Sequence, residues 1–71
     1  MIIVTRLDRT RFAVNPDLIE RVYSSPDTTL HMIDGGVYVV EESLDTVVEL
    51  IVAYRARVLD AAQALGRKSG D

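Results

Sequence analysis

Cysteine is missing from this 71-residue chain, and histidine occurs once. The first absence excludes disulfides and thiolate metal sites. The second leaves carboxylates to do most of the work in any zinc site, so no metal or other cofactor is expected. No apolar run approaches the roughly 20 residues needed to span a bilayer. The opening "MIIVTRLDR" has neither a basic start nor a long apolar stretch, so no signal peptide is expected there and the chain reads as cytoplasmic. GxSxG, HExxH, phosphate-loop and dinucleotide signatures are also absent. The formal net charge of −3 argues against phosphate-driven binding of nucleic acid over the whole surface.

What is present is a hydrophobic fraction of 48%, enough for one packed core. A chain this short buries only about 60% of its unfolded surface, and such a core yields about 3–5 kcal/mol. With disulfides and metals set aside, self-association is the stabiliser that remains. A homo-oligomer is expected.

The order of elements is strands first, helix last. "IIVTRL" (Ile2–Leu7) is rich in β-branched residues that suit a pleated surface. "DRT" turns the chain into "RFAV" (Arg11–Val14), making a hairpin. Asn15 precedes proline and is held extended, and Pro16 and Asp17 favour a turn. "IERVYS" (Ile19–Ser24) and "TTLHMI" (Thr28–Ile33) are the third and fourth strands, joined by the turn "SPD". "DGG" (Asp34–Gly36) then turns into "VYVV" (Val37–Val40). Ser43 caps a helix that begins at Leu44, with Asp45 at the positive end of its dipole. Leu44, Val47, Val48, Ile51, Arg55, Val58 and Leu65 mark one helical face, with Arg55 its single break. Gly66 is the expected stop, and residues 66–71 form a disordered tail beyond a single domain of residues 1–65. The fold class is α+β: five short antiparallel strands forming a small barrel-like sheet, followed by one long C-terminal helix.

That helix is longer than its sheet. From Leu44 to Leu65 it runs roughly 33 Å, against about 17–20 Å for strands of five or six residues. Its second half stays apolar, and Leu50, Val52 and Tyr54 fall off the main stripe, widening the apolar arc. An alanine-rich end with ordinary exposed apolar residues is one reading. The other is burial against a second copy through Val47, Ile51, Tyr54, Val58 and Leu65.

Charge marks a second surface. Arg6, Arg9 and Arg11 gather at the first turn with Asp8 among them, and Arg21 is expected nearby. Their planar forks suit carboxylates or phosphates, although charge also protects an ordinary sheet edge. Glu41, Glu42, Asp45 and Glu49 form an acidic counterpart. A small-barrel nucleic-acid-binding regulator, with Arg6, Arg9, Arg11 and Arg21 on phosphates, is the alternative function. Tyr23, Tyr38, Tyr54 and Phe12 would then stack on bases, but their spacing fits a core or interface better.

His31 has the side chain best suited to acid–base chemistry at neutral pH. It stands on a strand between Leu30 and Met32, pointing away from both. The nearest acids in sequence, Asp27 and Asp34, lie in turns, so the expected role is structural or superficial and no enzyme is expected. "DGG" joins strands and opens no helix, which makes it a hairpin turn and not a phosphate cradle.

"TRL" (Thr5–Leu7), Phe12, "NPDLI" (Asn15–Ile19), "PDT" (Pro26–Thr28), "DG" (Asp34–Gly35), "YVV" (Tyr38–Val40) and "ES" (Glu42–Ser43), taken together, resemble the small bacterial flagellar protein family called FlbD, or SwrD. The resemblance covers Ile2 to Tyr54. It departs at Gly36 and Val37, where the family usually carries a basic or polar residue after the hairpin glycine. Past Val58 no family pattern is legible. The resemblance implies a non-enzymatic accessory on the cytoplasmic side of the flagellar base, supporting motility or motor power. Its implied partner is a flagellar motor or export-apparatus protein. An unrelated transcription regulator shares the family's name and lends it no function.

Overall fold

Side-chain alternation builds two inner faces that meet. The structure, a computed structural model, describes residues 1–69, and side chains through residue 64. β1 (Ile2–Thr5) pairs antiparallel with β2 (Arg11–Val14), placing Ile2 opposite Val14 and Val4 opposite Phe12 on one face. After β2 the Asn15 side chain accepts a hydrogen bond from the Asp17 amide at 3.0 Å and starts a 3-10 turn, Pro16–Leu18. β3 (Ile19–Ser24), β4 (Thr28–Met32) and β5 (Val37–Val40) form an antiparallel meander. Its registers put Val22 opposite Leu30 and Leu30 opposite Tyr38. The inner faces enclose Ile2, Val4, Val14, Leu30, Met32 and Val40, all buried.

The five strands lie in two sheets that do not close into a barrel. One isolated bridge, Arg6 to Val40, and one hydrogen bond from the Glu41 amide to the Thr5 carbonyl (2.8 Å) join the end of β1 to the end of β5. Four-residue strands are too short to curl round and meet on both sides. β1 also stops at Thr5, short of the expected Leu7, because the tight turn begins at once: the Arg9 amide donates to the Arg6 carbonyl, and Arg9 takes a φ of +72°. In the β4–β5 turn it is Gly35 that takes the left-handed backbone, at φ +92°.

Helix α1 (Leu44–Ser69) starts where expected. The Ser43 hydroxyl accepts from the Thr46 amide at 3.1 Å and donates to the Thr46 hydroxyl at 2.9 Å. Gly66, the expected stop, falls inside the helix as bounded; side chains of the supposed tail lie outside the described residues.

The buried face of α1 differs from the expected one. Val47 is wholly buried, and Leu50, Ile51 and Tyr54 pack against the core, while Val48 is exposed and Arg55 reaches Asp17 at 4.0 Å. Leu50 and Tyr54 lie on one flank of the Val47–Ile51 line, and Val48 and Arg55 on the other. Both flanks carry apolar residues, so periodicity alone left the choice open.

Candidate functional site

The end of β1 is fixed by a side-chain clamp. Glu42 accepts from the Thr5 amide and from the Thr5 hydroxyl, both at 2.8 Å, tying β1 to the link between β5 and α1. Partial burial opposes the charge on Glu42, but the Thr5 amide and hydroxyl, its own amide and the nearby Arg11 outweigh it and hold the carboxyl below the usual glutamate range. At the adjoining turn, the Thr10 amide and hydroxyl lower Asp8.

This clamp places the arginines. Arg6 lies over the Phe12 ring at 4.7 Å and the Tyr38 ring at 5.5 Å. Those two rings pair with each other across the sheets, 5.3 Å apart and tilted by 44°. Arg9 approaches Glu41 at 4.0 Å on the open surface, a contact worth little to stability. Arg11 sits at the start of β2 beside Glu42. The structure thus gathers Arg6, Arg9 and Arg11 at one hairpin end and interleaves them with Asp8, Glu41 and Glu42. Arg21 stands apart from them in sequence and sheet, on β3 opposite His31. His31 therefore stands opposite Arg21 on one side and Val37 on the other. Among the described residues no group of three or more His, Cys, Asp or Glu side chains comes together to hold a metal ion.

Helix α1 presents the second surface. Its expected self-association residues have divided fates: Val47 is used up in the chain's own core, Ile51 and Tyr54 are half-buried there, and Val58 is 49% exposed. The side chain of Leu65 lies outside the described residues. Every residue from 55 to 64 is exposed, including Leu59 at 62%. The helix touches chiefly β1 and β3, and the molecule measures 50 × 22 × 19 Å. No helix among the described residues is long and apolar enough to cross a membrane.

The third surface was not foreseen from the sequence. A groove of about 590 Å³ opens between the two sheets. Residues 12–15 form one wall; residues 32–34 and Tyr38 form the other; Met1, Leu18 and Arg6 complete it. Its only sequence signal is the pair Phe12 and Tyr38, both inward-facing aromatics in a chain with few.

A family model described as FlbD, flagellar and swarming motility proteins, matches residues 1–59, ending one residue past Val58. No curated protein and no solved structure shows a significant match to the chain.

Proposed function

The chain belongs to the FlbD family of flagellar and swarming motility proteins, and on that premise we propose that it is a non-enzymatic accessory of the bacterial flagellum that works by binding. Its place is the cytoplasmic side of the flagellar base, and its partner is a motor or export-apparatus protein. The observation that carries the binding reading is the uncovered stretch of α1, ten successive exposed residues that include Val58 and Leu59.

Self-association uses the stripe that begins in the core and continues past the sheet. Val47, Ile51, Tyr54 and Val58 follow one another at spacings of four, three and four residues, a seam that suits helix pairing. Val47 is already covered, so a second copy meets the rims of Ile51 and Tyr54, then Val58, and Leu65 by continuity of spacing. The hairpin with Arg6, Arg9 and Arg11, and β3 with Arg21, are left for the other partner.

Light scattering after size exclusion tests the first half: the wild-type chain gives a multiple of 7.9 kDa, and V58D combined with L59D gives the monomer with unchanged circular dichroism. A wild-type monomer at 100 μM (about the upper range of such measurements) refutes self-association. Deleting the gene in a flagellated host tests the second half; swarming at the wild-type rate in the deletion strain refutes the flagellar role.

A further inference from the structure

The groove between the sheets runs along the edge of β2 rather than over its face. Successive strand residues point to opposite sides, yet residues 12–15 all line it. β2 has one neighbour, β1, and no other strand on its far edge. No backbone hydrogen bond from outside the hairpin reaches residues 11–14 among the described residues. The unpaired N–H and C=O groups of such an edge are a template for an added strand.

The groove's chemistry selects what is added. Val14 and Met32 are buried at its floor, and Leu18 and Ile33 are 45% and 61% exposed at its rims. Arg6 lines the groove with its guanidinium carbon 4.7 Å from the Phe12 ring centroid and 5.5 Å from that of Tyr38, and contact with ring faces leaves N–H donors of the fork for a carboxylate. Among the described residues Arg6 makes no ion pair within 4 Å; those present involve Arg9 and Arg55. Asp34, the acid in the lining, already accepts from the Gly36 amide at 2.8 Å.

We propose that the free edge of β2 takes up an extended peptide segment of a partner protein, with apolar side chains at alternate positions filling the groove and an acidic side chain two positions further on meeting Arg6. This rests on the reading of the chain as a protein-binding module and names the kind of segment it holds. Two apolar residues and one acidic residue, each separated by one residue that faces away, satisfy the wall and the fork together.

The test uses purified full-length protein and two labelled peptides, TLTVTET and its reversal TETVTLT, which cover both strand directions. Fluorescence anisotropy is expected to find binding of one of them, with amide shifts in the NMR spectrum concentrated at residues 11–14. Replacing the peptide glutamate with glutamine is expected to weaken binding about tenfold, since a hydrogen bond to a charged group is worth more than a neutral one by about 1.4 kcal/mol. N-methylation at alternate peptide bonds is expected to abolish binding, because it removes the strand's donors. In R6Q the glutamate and glutamine peptides are expected to bind alike, and R6K to fall between. Equal affinity of the two peptides for the wild-type chain overturns the proposal, as does full binding of the N-methylated form or failure of both directions at millimolar concentration. Hexanoate or an oligonucleotide competing at the same site as strongly as the peptide also overturns it. A negative peptide result leaves the motility phenotype as it was, and a swarming deletion strain leaves the peptide titration as it was.

Discussion

Removing the carboxylate of Glu42 should loosen the side-chain clamp between the hairpin and the link into α1. In E42A both 2.8 Å hydrogen bonds to Thr5 disappear. A bond to a charged group contributes about 1.5–3 kcal/mol when shielded; Glu42 is half-buried, so we take about 1 kcal/mol for each, and about 2 for the pair. E42Q keeps the Thr5 amide bond on its carbonyl oxygen but loses the charge and the oxygen that accepts from the Thr5 hydroxyl, which must turn to accept from the new NH2, costing about 1 kcal/mol. A domain of this size moves by roughly 4–8 °C per kcal/mol, so thermal circular dichroism at one fixed protein concentration should show E42Q down by that amount and E42A by about twice it. The pH dependence gives an independent check. The folded carboxyl lies below its ordinary 4.5, so the clamp's contribution is complete above that value. It fades as pH falls through the folded value, because the unfolded chain takes up its proton first. Wild-type protein should therefore lose more stability than E42Q below about pH 4.5. Midpoints within about 2 °C of each other at pH 7, or parallel acid losses in the two proteins, would refute the clamp.

Four smaller outcomes follow from the same geometry. S43A removes the acceptor for the Thr46 amide and should cost about 1 kcal/mol in urea unfolding. V47A opens a cavity at a wholly buried site and should cost about 2 kcal/mol, whereas V52A, at a residue 61% exposed, should stay within about 0.5 kcal/mol of wild type. G35A meets no atom within 4 Å, but its φ of +92° should cost about 1 kcal/mol, and G35N less than that. R9N should raise the midpoint slightly, because asparagine accepts the left-handed backbone that Arg9 now occupies at φ +72°.

Much of this architecture could be read before any coordinates. Arg11–Val14, Ile19–Ser24 and Val37–Val40 match the expected strands residue for residue, and the helix begins at Leu44 behind its serine cap. These segments combine β-branched composition with punctuation by Asn-Pro, Ser-Pro and Gly-Gly, so local and long-range preferences agree. Closure was a different matter. Whether five strands join into one barrel depends on how far each pairs, and Thr5, still opposite Arg11 in the hairpin, gives its outward amide to the Glu42 carboxylate and not to another strand. The face of α1 escaped for a related reason: Val48 and Leu50 are equally apolar, and only the position of the sheet beneath them decides which is covered. Of the residues proposed for interaction, Arg6 and Val58 were legible as types. That Arg6 lies over two rings, and that Val47 is buried in the core, belong to tertiary packing that no spacing rule contains.

A rod held at one end converts small turns into travel. Counting from Val47, Ala64 is about 26 Å away along the axis, and a tilt of about 5° there displaces it by about 2 Å. The angle is set at the root, by the Thr5–Glu42 contact and a handful of side chains beneath the first turns. A partner holding the far end of α1, as proposed above, would therefore be positioned by the geometry of the first hairpin, which it need not touch.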